Sequence, residues 1–306
     1  MTTSGSIAVE AGAKSSFTGL LRGLANVLRF VRRNPLGSVA VLVVLLMFVM
    51  AIAAPVIAPH EPAELLTGAR LAAPLDSTAD GTRLWLGGDQ LGRDMATRLL
   101  YGARISLGIA VSGVIGSAII GALLGGIGAF VGGIVDAVVQ RVVETLLILP
   151  VIVVAMVLVT MLGSSWTSIV FAIWLVQAPR VARIVRGEVL SIRERPFIEA
   201  ARSTGCSSTR LLLRHIAPNV LPMVLVVGTI ELSAAILLEG GLSFLGFGVA
   251  PPAASWGLMI REGQTYMTRM PHMLLVPGFM ISLAVLAFSM VGDMIRDAFD
   301  PRLRRG

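Results

Sequence analysis

The chain has 306 residues, of which 55% are hydrophobic and 14% charged, with a mean hydropathy of +0.85. That balance excludes an ordinary soluble domain and points to lipid as the main solvent. The formal charge of +7 would suit a nucleic-acid binder, but the basic residues cluster in a few segments as topology signals do, and the single cysteine, Cys206, excludes a disulfide framework or a multi-cysteine metal site within the chain.

Residues 1–19 are rich in Ser, Gly, Ala and Thr and contain no apolar signal-peptide core, so a flexible cytoplasmic tail is expected. The first apolar run follows Arg29, Arg32 and Arg33 and reads as a retained span. Crossing about 30 Å of hydrocarbon takes roughly 20 apolar residues. Hydropathy predicts six such spans, near 38–58, 104–131, 138–162, 166–187, 220–242 and 273–292. Pro55, Pro59 and Pro62 are expected to end the first. Gly113, Gly116, Gly121 and Gly125 in the second predict close packing against a neighbouring helix. In the fourth, Arg180 and Arg183 follow a short apolar core and are expected to snorkel to the interface.

Basic residues are unevenly shared between the two sides. Five lie in residues 1–36, eight in 178–219 and four after 293, against five in the long loop from 58 to its end at Arg104 and two in 250–272. The excess places both termini in the cytoplasm, in agreement with an even number of spans. Trp85, Trp166 and Trp256 fall near expected interfaces and suit aromatic belts. Asp136, Arg141, Glu144 and Pro150 are assigned to structure, as a helix start that neutralises its own charges. Glu231 and Glu239 lie in or near the fifth span, where ionisable groups are expensive, and are candidates for the transport path.

The segment RPFIEAARSTGCSSTRLLLRHIAPN, residues 195–219, lies on the positive side between two spans. Pro196 suits a first helical turn, Glu199 favours its N-terminal half, and Gly205 can end it in the left-handed conformation. Ser207 or Ser208 can cap a second helix, which Pro218 is expected to end. Such an element could lie on anionic lipid, dock on a partner subunit, or act as a helix-turn-helix on DNA, the last disfavoured because flanking spans tether it to the bilayer.

The string Glu199-Ala200-Ala201, then Gly205, Ile216 and Pro218, resembles the EAA loop of ATP-binding-cassette (ABC) importer permeases. Ala217 stands where many relatives have Leu. Three further stretches look like segments of the dipeptide, oligopeptide and nickel importers: LGGDQLGRDMATRLLYGARISL at 86–107, EGGLSFLGFGVAPPAASWGLMIREGQ at 239–264 and VGDMIRDAFDPRLR at 291–304. Residues 30–62 are similar to the N-terminal extension of the C-type permease of such pairs.

The resemblance implies an all-α membrane protein with the type I ABC importer (MetI-like) permease fold in a bacterial cytoplasmic membrane. Its expected parts are a tail at 1–28, an extension at 29–62, an extracytoplasmic segment at 63–101, a permease domain at 102–293 with a coupling loop at 188–219, and a tail at 294–306. It implies pairing with a homologous permease, two nucleotide-binding ATPase subunits or domains that hold ATP and Mg, and an extracytoplasmic substrate-binding protein. Membrane lipid is its solvent and nucleic acid is no partner. Coupling is carried over to Glu199, Ala200, Ala201, Arg202, Gly205, Ile216 and Pro218. No cofactor is expected in the chain, because the only lysine, Lys14, follows Ala13 and cannot complete a P-loop. Nor does any catalytic or metal constellation stand out, since His60, His215 and His272 are scattered. Dipeptides, longer peptides, nickel chelates and other small solutes stay open as substrates. A proton-driven secondary transporter is the competing class, and it would place ionisable groups and inverted repeats at mid-membrane.

Overall fold

The computed structural model describes residues 35–299. The basic residues before the first span, the tail at 1–28 and the end of the last motif, residues 300–306, lie outside the described residues. Helix α1 is Pro35–Ile57, α2 Met95–Val131, α3 Gly133–Ile148, α4 Val151–Leu162 and α5 Trp166–Arg193. Two short helices follow, α6 Pro196–Ser203 and α7 Ser208–Leu211, and a π-helical turn at Leu212–Ile216 leads into α8, Ala217–Leu245. Helices α9, Trp256–Gln264, and α10, His272–Phe299, complete the chain as described. Among the described residues, α1, α2, α5, the run Ser208–Leu245 and α10 are each long and apolar enough to cross a membrane. Helices α3 and α4 make a sixth only as a bent pair.

The span expected at 138–162 is broken in its course: its two helices meet at 96°. Proline disfavours the α conformation in the residue before it, and Leu149 is accordingly extended (φ −75°, ψ 139°) ahead of Pro150. Pro55 departs in the opposite direction, since α1 continues through it to Ile57. The second span also begins earlier than hydropathy suggests. Asp94 caps α2, its carboxylate accepting from Ala96 N (3.2 Å), Thr97 N (3.0 Å) and Thr97 Oγ1 (2.6 Å), so the helix starts at Met95.

The centre of the bundle is α2 packed along α5, with α8 against both. Glycines make the approach possible. A Cβ at Gly113 would meet Ile173 at 2.6 Å, and one at Gly121 would lie 2.7 Å from the Ala178 carbonyl oxygen; one at Gly125 would overlap the Ala182 backbone. The Trp174 indole occupies the space beside Gly116 and donates to Ser112 O at 2.8 Å. Helices α1 and α10 pack together on the flank, where Phe48 and Phe288 meet edge to face at 6.2 Å.

Residues 58–94 form an irregular segment of turns around a small core of Ala69, Ala72 and Leu84. Trp256 departs from its expected place at the interface. It is fully buried, and its indole donates to Leu99 O at 3.1 Å, so it pins α9 onto α2. Trp85 and Trp166 are exposed, as belt residues would be.

Candidate functional site

The segment between α5 and α8 is built on one buried face. Ile198 of α6, Leu211 of α7 and Ile216 join Val185, Val189, Ile192 and Val220 in a single apolar cluster, with Ala201 and Cys206 half-buried at its edge. Burying Ile198 contributes about 1.5–3 kcal/mol towards holding α6 in place. Around that buried residue, α6 presents Phe197, Glu199, Ala200 and Arg202 to solvent.

Local signals set the ends of α6. Arg195 is extended before Pro196, which occupies the first turn together with Glu199. At the other end Gly205 has φ +77°, its N–H donates to Arg202 O at 2.9 Å, and Cys206 N–H reaches back to Ala201 O at 3.1 Å. This is a Schellman motif, which needs a left-handed residue at the glycine position. Ser207 Oγ then accepts from Arg210 N at 3.4 Å and starts α7.

The second short helix does not end at Pro218. Ala217 N–H instead donates to Leu212 O across the π turn, and Pro218, lacking an N–H, falls in the first turn of α8. The chain therefore runs unbroken from Ser208 into the membrane. Of the residues singled out in the sequence, Glu199, Ala200, Arg202, Gly205 and Pro218 are exposed, Ala201 is half-buried, and Ile216 is a buried anchor.

Charge inside the bundle is placed in pairs. Glu231 of α8 is buried and accepts from Arg180 Nη1 of α5 at 3.2 Å, while Gln177 Nε2 donates to the Glu231 backbone carbonyl at 3.2 Å. Arg180 thus meets a partner while its side chain stays more than half exposed. Glu239 is fully enclosed where α2, α8 and α9 converge: Ser243 Oγ donates to it at 2.7 Å, and Ser106 and Ser255 line the same carboxylate. Asp136 pairs with Arg186 of α5 through two bonds of 2.7 and 2.8 Å, not with Arg141, which makes only an exposed 3.8 Å contact to Glu144. Arg193 Nη1 donates to the Ala129 carbonyl, which ties the end of α5 to the end of α2.

Sequence reasoning missed a cluster at the other face. Arg93 and Arg98, counted as loop charges, are buried: Arg93 Nε bonds Asp89 Oδ2 at 2.5 Å, and both arginines donate to Glu262 of α9, at 3.0 and 2.8 Å. The signal was present, because the two halves are GGDQLGRDMATR and MIREGQ, each within a stretch already singled out. Nothing in linear spacing pairs residues 164 apart.

Comparison with known proteins adds the family. The model of the binding-protein-dependent transport system inner membrane component matches residues 117–305, and that of the N-terminal TM domain of oligopeptide transport permease C matches residues 24–74. The glutathione transport system permease protein GsiD of Escherichia coli O157:H7 is 38% identical over 275 residues, covering 89% of this chain and 88% of that protein. The dipeptide transport system permease protein DppC of Alkalihalophilus pseudofirmus is 36% identical over 273 residues, with the same coverage of 89% and 88%. Among solved structures, an inward-facing conformation of the MetNI methionine ABC transporter superposes with a TM-score of 0.56 at 18% identity, covering 67% of this chain and 98% of that one. The fold is thus the MetI-like permease fold, and the chain belongs to the inner-membrane permease family of binding-protein-dependent ABC importers.

Proposed function

We propose that this chain is one of two permease subunits that form a path for dipeptides or other short peptides across the bacterial cytoplasmic membrane, both termini in the cytoplasm. Relatives named for glutathione and dipeptide transport support the substrate class. The chain pairs with a homologous permease and receives substrate from an extracytoplasmic binding protein. It has no ATPase site of its own, and ATP and Mg are held by two nucleotide-binding subunits or domains.

The observation that carries this reading is α6, a short helix rooted by Ile198 with Glu199, Ala200 and Arg202 open to a partner. Docking of an ATPase on that face gives the mechanism. Ile198, Leu211 and Ile216 share a close-packed cluster with α5 and α8, so displacement of α6 moves those two helices together. ATP-driven closure of the ATPase dimer thereby switches the spans between inward- and outward-facing arrangements. Glu199, Ala200, Arg202 and Gly205 make the contact, Pro218 borders it, and Ala201 and Ile216 hold it from beneath. Of the two candidate path carboxylates, Glu231 borders the path beside Arg180. Glu239 holds the path's outer end, tying α9 to α2 and α8.

Ala200→Trp tests the docking face, because a bulky ring there meets solvent in this chain and collides only with a partner. The ATPase subunits should no longer co-purify, and ATP-driven peptide uptake should fall more than tenfold while membrane insertion is normal. Normal co-purification together with normal uptake would remove α6 from the coupling role.

A further inference from the structure

Arg180 is the fifteenth residue of α5 and Glu231 the fifteenth of α8, and the two helices run in opposite directions. Each lies 14 residues from its helix's extracytoplasmic end, Trp166 and Leu245, which at 1.5 Å per residue is about 21 Å along the axis. In a hydrocarbon layer about 30 Å thick, the pair sits well inside the membrane. Yet the Arg180 side chain is 56% exposed in this chain, while that of Glu231 is 3% exposed. Arg183 and Gly187 are exposed on the same face of α5, three and seven residues on.

A guanidinium open to lipid at that depth is expensive, so this face of α5 borders water or another protein. The polar groups behind it are not closed among themselves. Glu231 Oε2 and Gln177 Oε1 are buried with no hydrogen-bond partner among the described residues. Glu231 engages only Nη1 of Arg180, which leaves the rest of the donor fork facing outward. A fork of that shape matches a carboxylate through two parallel bonds.

We propose that Arg180, oriented by Glu231, is a carboxylate-binding point on the translocation path that takes the C-terminal carboxylate of a peptide in transit. This rests on the peptide-permease reading above. Glu231 is a positioning residue here: it holds the guanidinium and offsets its charge, so that a passing anion is held weakly enough to leave. Arg183, about 4.5 Å further along the axis at 1.5 Å per residue, offers the next cation toward the cytoplasm.

The test uses the full complex with its binding protein in proteoliposomes, comparing uptake of alanyl-alanine with that of its C-terminal amide. The Arg180→Gln/Glu231→Gln variant avoids an unpaired buried carboxylate and is read against Glu231→Gln alone. The binding protein's own preference cancels in that comparison. The acid-to-amide uptake ratio should fall at least tenfold on loss of Arg180, and an unchanged ratio would overturn the proposal. If wild type imports neither compound with ATP present, the peptide reading itself fails, which is a distinguishable result.

Water access is measured separately. Because Cys206 is the only cysteine, Cys206→Ser gives a thiol-free chain into which Arg180→Cys/Glu231→Gln can be placed. A membrane-impermeant thiol reagent should label position 180, and saturating peptide should slow that labelling. Labelling by lipid-soluble maleimide alone, or labelling indifferent to peptide, would also overturn the assignment.

Discussion

Glu231 is a buried carboxylate facing arginine and Glu262 a partly buried one, and their surroundings give them different work. Glu262 balances Arg93 and Arg98 together with Asp89, so the cluster is close to neutral and none of the four side chains is exposed. Glu262→Ala leaves buried positive charge uncompensated, a loss of roughly 3–5 kcal/mol. Thermal unfolding of the purified complex should show it as a large drop in Tm, with the segment from 58 to 94 becoming sensitive to protease. Glu231→Gln keeps the shape but weakens the grip on Arg180, so uptake should fall several-fold without a matching loss of stability; unchanged uptake would remove Glu231 from the path. At Gly205 the left-handed backbone sets the terms. Gly205→Val should destabilise α6 by about 1–2 kcal/mol, and Gly205→Asn by less, because asparagine tolerates that conformation. Amide hydrogen exchange in Pro196–Ser203 distinguishes the two variants.

Elements were legible in the sequence where one physical cause dominates. Long apolar runs mark α1, α2, α5, α8 and α10, and the proline-to-glycine spacing marks α6. The fracture between α3 and α4 was hidden because hydropathy from 138 to 162 is continuous, and a proline can sit inside a helix, precede one or fall in its first turn, as Pro55, Pro150 and Pro218 respectively show in α1, α4 and α8. The π turn was hidden for a related reason, since it redistributes backbone hydrogen bonds without a sequence signal of its own. The glycine run in α2 announced close packing but not its partner, which is α5. Gly125→Leu should force these helices apart at Ala182, at a cost beyond the roughly 1–3 kcal/mol of ordinary overpacking, because the obstacle is backbone. Size-exclusion chromatography would show loss of the folded complex. Ile198→Ala makes a complementary test. It removes the root of α6 but spares its open face, so ATPase subunits should still co-purify while peptide imported per ATP hydrolysed falls.

At the scale of the whole molecule, one polar assembly and one apolar cluster sit at opposite ends of one bundle. The Asp89–Arg93–Arg98–Glu262 cluster and the serine-lined Glu239 bind α9 to α2 and α8, and the Ile198 cluster binds α6 to α5 and α8. Helix α8 belongs to both, and the Arg180–Glu231 pair lies between them. On the proposed mechanism, movement imposed at α6 reaches the Arg180–Glu231 pair through α5 and α8 without passing through any loop. Of the arginines between residues 58 and 104, Arg93 and Arg98 are held in ion pairs and Arg83 lies over the Trp85 ring at 5.8 Å. The substrate path could not be read from the sequence, because it depends on which helix face remains open after packing. On the proposed function, ATP hydrolysed by docked partners drives peptides through this chain and its homologue. Uptake of labelled dipeptide into proteoliposomes carrying the complete complex and its binding protein measures this directly: uptake should require ATP and be indifferent to a proton gradient, and uptake driven by a proton gradient without ATP would contradict the account.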